Sequence, residues 1–215
     1  MFDLTSRRLY LCVGWRADLV GLVADVVGAG VDVVQLREKV ASPDAVLATA
    51  RELAPLCADL GVPFLVNDDP ELAALSGADG VHVGQEDATV TRCRELLGDE
   101  ALIGLSTHDP AQFAAALATS ASYVSAGPIE PTPTKPGRPG TGLAYALDCQ
   151  RASDRPVFVT GGVRADTVGA LVAAGLRHFV VVRAILDAPN PEFAARQLRE
   201  AIDMELIRVN GTRDS

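Results

Sequence analysis

The sequence predicts a single α/β domain folded as a (β/α)₈ TIM barrel, with its active site at the C-terminal ends of the strands. Three observations carry this. Short β-rich runs alternate with longer amphipathic ones along the whole chain. Eight such runs fit into 215 residues, the small end for a closed barrel. Several runs are nearly unbroken Val, Ile, Leu or Phe, as expected of parallel strands covered on both faces. An open doubly wound sheet is the structural alternative.

The candidate strands are RLYLCVG, VDVVQLR (31–37), PFLVN (63–67), GVHVG (80–84), LIGLS (102–106), SYVSAG (122–127), PVFVTGG (156–162) and RHFVVV (177–182). The segments between them read as helices. In SPDAVLATARELAPLCADLG, Ser42 is an N-cap and Pro43 fits the first turn. Val46, Ala50, Leu53, Cys57 and Leu60 then share a face, Pro55 predicts a kink, and Gly61 is a stop signal. Asp69-Pro70 and Asp109-Pro110 open later helices by the same cap-then-proline device. No linker divides the chain, so residues 1–215 are expected to form one domain, with the barrel over about 7–203. MELIRVNGTRDS (204–215) reads as a frayed helix end and tail.

Composition narrows the function. A net charge of −9 argues against nucleic-acid backbone binding, and aromatics at 5% give no stacking platform. Any anionic ligand must be held by a local cluster of cations and amides. Cys12, Cys57, Cys93 and Cys149 are scattered without a C-x-x-C pair, which excludes zinc spacing and suits a reduced cytoplasm. No run approaches a membrane span, and the first residues are too weakly apolar for a signal peptide. The oligomeric state is left open, a homo-oligomer included.

In a barrel the strand ends build the site. QLREK follows the second strand, and alternation sends Gln35, Arg37 and Lys39 to one side and Leu36 and Glu38 to the other. Asn67, Asp68 and Asp69 follow the third strand, Gln85, Glu86 and Asp87 the fourth, and Ser106, Thr107 and His108 the fifth. The sixth leads into EPTPTKPGRPGTG, a loop whose prolines forbid helix or central strand. Gly161-Gly162 and Val182-Arg183, after the last two strands, match the barrel phosphate site made from backbone N–H groups and a helix start. A second anion site gathers Arg37, Lys39 and Lys135 with Asp68 and Asp87. Carboxylates among cations suit a divalent ion such as Mg²⁺, bound by one or two carboxylates and the ligand's own phosphates. Alternatively, Asp68 and Asp87 are helix caps, as Asp69 is expected to be. His82, mid-strand, reads as packed rather than catalytic. His108 beside Ser106 lacks the elbow and third member of a hydrolase triad.

QLREK, NDDP, GVHVGQED, GLSTHD, AGPIEPTPTKPGRPGTG, TGG and VVVRAI occur in this order and spacing, from about residue 8 to 200. Together they resemble the thiamine-phosphate synthase (thiamine-phosphate pyrophosphorylase) family. The resemblance implies condensation of hydroxymethylpyrimidine diphosphate with hydroxyethylthiazole phosphate, giving thiamine phosphate and pyrophosphate, with one Mg²⁺ per subunit. It implies that Gln35, Leu36, Arg37, Glu38, Lys39, Asn67, Ser106 and Lys135 contact the pyrimidine diphosphate. It further implies that Asp68 and Asp87 hold the metal, and that Thr132, Pro133, Thr134, Gly162, Val182 and Arg183 surround the thiazole phosphate. Lys135, Ser106 and Arg37 would be catalytic, acting on the charge of the departing diphosphate. The stiff loop would close over both substrates and keep water from a pyrimidine-stabilised carbocation.

Three positions depart from the family pattern. CVGW stands where a Thr-Asp pair is common, Arg183 replaces an expected Ser, and Glu130 replaces an aromatic residue. The competing readings are a thiazole tautomerase-like paralogue, which needs no diphosphate site, and a non-catalytic binding protein for phosphorylated metabolites. Asp68, Asp87 and Lys135 occurring together argue against both. An aldolase would need a Schiff-base lysine, and Lys39 and Lys135, the only lysines, are already assigned.

Overall fold

The computed structural model describes residues 2–132, 137 and 139–211. Strands and helices alternate in the order β1 (Leu9–Val13), α1 (Leu19–Gly28), β2 (Val33–Leu36), α2 (Pro43–Asp59), β3 (Phe64–Asn67), α3 (Pro70–Ser76), β4 (Gly80–Val83) and α4 (Val90–Leu97). They continue with β5 (Leu102–Thr107), α5 (Pro110–Leu117), β6 (Tyr123–Ala126), α6 (Gly142–Ala152), β7 (Val157–Val159), α7 (Val168–Ala174), β8 (His178–Val181), α8 (Arg183–Leu186) and α9 (Pro191–Gly211). The strands are parallel and follow chain order, and β1 pairs with β8 to close the barrel. The open-sheet alternative is excluded by that last pairing.

The period-2 alternation of each strand sorts its side chains into two cores. Outward residues such as Leu9, Leu11, Val34, Leu36, Phe64, Val66, Val81, Ile103 and Val124 pack against the helices. Inward ones fill the barrel with a smaller cluster that includes Tyr10, Val33, Leu65, Leu102, Tyr123 and Phe158. Towards the C-terminal ends the inward positions turn polar, and that change creates the site.

The expected caps form. Ser42 Oγ accepts from Ala45 N at 3.4 Å, Asp69 from Leu72 N and Asp109 from Gln112 N, both at 2.8 Å. The second helix runs unbroken past Pro55. The chain end differs from expectation. α9 stays helical through Gly211, across residues assigned to the tail, because Leu206 packs on the core and Arg208 pairs with Glu205. α9 lies against α1 and α7, over the seam where the barrel closes.

Two buried polar residues secure the N-terminal face of the barrel. Asp32 accepts from the amides of Arg8 and Leu9 and from Arg199 Nη1 at 2.9 Å, tying β1 to α9. His178 Nδ1–H donates to the Arg7 carbonyl at 2.6 Å. Burial holds the His178 imidazole down at about 4, against an ordinary 6.5. Between those values the unfolded chain binds a proton that the folded chain refuses. Stability from this group is therefore full above about pH 6.5 and lost as the pH falls towards 4. The gap amounts to on the order of 3 kcal/mol. Urea titrations at pH 7.5 and 4.5 should show His178→Gln losing less stability on acidification than wild type, and equal losses would refute the assignment.

Candidate active site

The C-terminal mouth of the barrel holds a cavity of about 350 Å³. Gln35, Arg37, Asn67, Ser106, Thr132, Gly162, Val182 and Arg183 all line it. The glycine-turn site read from the sequence lies in this cavity, and of the second anion site Arg37 lines it, whereas Lys39, Asp68 and Asp87 stand on the loops after β2, β3 and β4 outside its lining. Pro133, Thr134 and Lys135 lie outside the described residues.

The floor is a chain of hydrogen bonds between inward side chains of five strands, β1, β2, β4, β5 and β6. Cys12 Sγ donates to Gln35 Oε1 at 3.2 Å, and Gln35 Nε2 donates to Tyr10 Oη at 2.8 Å. The Tyr10 and Tyr123 hydroxyls meet at 3.0 Å. His82 then joins Tyr123 Oη through Nδ1 and Ser106 Oγ through Nε2, each at 2.8 Å. One direction runs through all of these contacts. If Tyr10 accepts from Gln35, it donates to Tyr123, which donates to His82 Nδ1. His82 is then the neutral Nε2–H tautomer, and the Ser106 hydroxyl keeps its proton for the cavity. Burial raises both phenol pKa values far above the ordinary tyrosine value, so Tyr10 and Tyr123 stay protonated.

His82 is therefore a correction to the sequence reading, since it lines the cavity and holds Ser106. Its second nitrogen faces a phenol rather than a carboxylate, so no hydrolase triad results. His108 turns away, with Nδ1 2.5 Å from the Gly127 carbonyl. Thr160, from the TGG motif, lines the cavity too, as do Tyr10, Cys12, Tyr123, Ser125, Arg164 and Asp187, which the sequence does not mark as site residues.

The side chains of Leu36 and Glu38 point away from the cavity, which leaves their backbone to meet a ligand. Leu36 is buried in the outer core. Glu38 is consumed by the loop itself, accepting from the amides of Trp15, Lys39 and Val40 at 2.8, 2.8 and 2.7 Å and from Ala41 at 3.2 Å. Those bonds lower its pKa below the usual carboxylate range. The outward Leu36 and the loop-bound Glu38 build the scaffold from which Gln35 and Arg37 enter the cavity, while Lys39 turns to Asp68.

Asp68 and Asp87 converge. Asp87 lies near enough to Asp68 to shift its titration, and Lys39 Nζ pairs with Asp68 Oδ2. Burial pushes the Asp68 pKa up, Lys39 opposes this and Asp87 adds to it. Neither is a cap. Asp69 caps α3, and Thr89 caps α4 by accepting from Arg92 N at 3.1 Å. Asp87 Oδ2 instead accepts from Gly84 N at 2.7 Å. Asp68 is the single non-glycine residue at positive φ among the described residues, at 66°. That backbone conformation is uncommon outside glycine and places a carboxylate where a regular strand exit would not. Among the described residues no third His, Cys, Asp or Glu joins them. Two carboxylates at an anion-binding mouth fit Mg²⁺, which takes its remaining ligands from phosphates and water.

Gly161 and Gly162 line the cavity with φ of 84° and 77°, a tight left-handed turn that glycine adopts without strain. Val182 precedes α8, whose first amides have no partner within the helix.

The family model for thiamine monophosphate synthase matches residues 9–185. The chain belongs to this family. It is 44% identical over 201 residues to a thiamine-phosphate synthase of Thermus thermophilus, covering 91% of this chain and 97% of that protein. A Mycobacterium bovis thiamine-phosphate synthase is 43% identical over 214 residues, covering 93% and 96% respectively. Among solved structures, a thiamine phosphate pyrophosphorylase of Pyrococcus furiosus superposes with a TM-score of 0.84 at 24% identity, over 93% of this chain and 96% of that one, which supports the barrel fold. No described helix is long and apolar enough to cross a membrane.

Proposed function

We infer that this family member, acting as one domain, is a thiamine-phosphate synthase. It is a transferase that joins hydroxymethylpyrimidine diphosphate to hydroxyethylthiazole phosphate and releases pyrophosphate. The observation that carries the reading is a barrel-mouth cavity that joins Arg37, a hydrogen-bonding aromatic floor and a glycine turn, with the Asp68, Asp87 and Lys39 cluster on the neighbouring strand-end loops. Two phosphorylated substrates need two anion ends with a shared reaction space between them.

The pyrimidine ring lies on the floor, where Gln35, Asn67 and Ser106 offer polar partners to its edge and Tyr123 and His82 exclude water. Arg37, Lys39 and Lys135 surround its diphosphate. Asp68 and Asp87 would hold one Mg²⁺, which supplies a Lewis acid against the negative charge growing on the leaving group. Cations placed around the diphosphate lower the cost of breaking its C–O bond, because they offset the charge as it appears. Thr132, Pro133 and Thr134, the Gly162 turn, Val182 and Arg183 hold the second substrate by its phosphate. Its thiazole nitrogen then forms the new C–N bond, and no protein nucleophile is needed. The four cysteines are all free and buried, which supports a reduced, cytoplasmic setting.

A coupled assay of purified protein with both substrates should release pyrophosphate only when Mg²⁺ is present. Folded protein that releases none with both substrates and the metal supplied would falsify the reading.

A further inference from the structure

Two charged residues at the glycine turn have no role in the reading above. Glu130, which stands where the family pattern suggests an aromatic residue, meets Arg164, with Oε2 3.6 Å from Nη1. The Glu130 side chain lies on the turn itself. A Cβ on Gly162 would come within 2.6 Å of its Cδ and 2.8 Å of its Oε2. Arg164 lines the cavity beside Gly161, Gly162 and Arg183. Its Nε also reaches Asp166 Oδ1 at 3.2 Å, and its own amide donates to Thr167 Oγ1 at 3.0 Å, which fixes its backbone next to the turn.

A carboxylate resting on an anion-binding turn opposes a phosphate there, whereas a guanidinium at the same edge attracts one. Both side chains are about half exposed, at 57% and 51%, so water and salt screen their pairing. A phosphate dianion offers Arg164 more charge and a two-point hydrogen bond that matches the guanidinium fork. Exchange of Glu130 for phosphate is therefore downhill.

We propose that Arg164 binds the phosphate of the thiazole substrate and that Glu130 is its exchangeable stand-in, holding the guanidinium over Gly162 until phosphate replaces the carboxylate. The proposal rests on the assignment of the glycine turn to the thiazole phosphate. Glu130 and Arg164 thereby set affinity for the second substrate without touching the bond that breaks.

The test is steady-state pyrophosphate release with each substrate varied in turn. Arg164→Gln should raise KM for the thiazole phosphate about 10-fold and leave kcat and the pyrimidine diphosphate KM within about twofold. Its thiazole phosphate KM should also respond less steeply to added salt than that of wild type. Glu130→Gln should lower the thiazole phosphate KM about threefold. Inorganic phosphate, competing with the thiazole substrate, should bind Arg164→Gln more weakly. An unchanged thiazole phosphate KM in Arg164→Gln, or a raised one in Glu130→Gln, overturns the proposal. If Gly162→Ala raises the thiazole phosphate KM while Arg164→Gln does not, the turn assignment stands and only the exchange falls. If Arg164→Gln acts on the pyrimidine diphosphate instead, the turn assignment falls with it.

Discussion

Asp87→Asn is expected to lower pyrophosphate release by on the order of 10²-fold or more at any Mg²⁺ concentration, a loss comparable to removing one strong electrostatic contact to a developing anion. The substitution is nearly isosteric, and an amide oxygen can still accept from Gly84 N, now bonded to Asp87 at 2.7 Å. The α4 cap is untouched, because Thr89 provides it. Unfolding free energy should therefore stay within about 1 kcal/mol of wild type. What changes is charge: Asp68 then faces a neutral amide and Lys39, a pair already balanced without a divalent ion. Mg²⁺ titrations of turnover, set beside urea midpoints, separate the outcomes. Full turnover at high Mg²⁺ removes Asp87 from the metal site, and a large drop in midpoint makes it a structural residue.

Gly104→Ala should be the most damaging single-methyl change at the cavity floor. Gly104 is the inward residue of β5 one step below Ser106, and its missing side chain is the space occupied by the Tyr123 phenol. An added Cβ would lie 2.1 Å from Tyr123 Cζ, 2.3 Å from its Oη and 2.4 Å from His82 Nδ1. Tyr123 cannot retreat, being buried with Phe158 and Tyr10 edge-on at centroid distances of 5.2 and 6.1 Å. Overpacking of this kind costs about 3 kcal/mol, and any relief must break the Tyr123–His82 contact on which the Ser106 orientation depends. Thermal denaturation and turnover at a permissive temperature should both fall. A variant with wild-type stability and activity would show that the floor is plastic and that the Tyr123–His82–Ser106 chain does not position the hydroxyl.

The barrel was legible because parallel strands covered on both faces leave near-continuous apolar runs, and because Ser42, Asp69 and Asp109 mark helix starts chemically. The strand ends were legible for a related reason: polar residues after apolar runs mark where the core stops. The floor was not. Tyr10, His82 and Tyr123 sit inside strands, where alternation tells which residues share a face but not whether that face meets helices or the barrel interior. A half-polar ring in such a run reads the same packed or exposed to a ligand. Asp87 and Thr89 illustrate a further limit. Both are good cap residues two positions apart, and only the path of the chain between Gly84 and Val90 decides which one caps. Glu38 shows the reverse case. A charged residue in a functional motif served the loop's own amides, a role invisible until Trp15, 23 positions earlier in the chain, came alongside.

The closure of the barrel has a consequence for how the protein is made. Leu9 to Leu11 find their second neighbour only in Phe179 to Val181, and Asp32 waits for Arg199. The seam therefore forms only once β8 and α9 have been made. Until then the nascent chain carries an open sheet with two raw edges. Shortening the chain from its far end does not trim this molecule gradually; it removes the clasp.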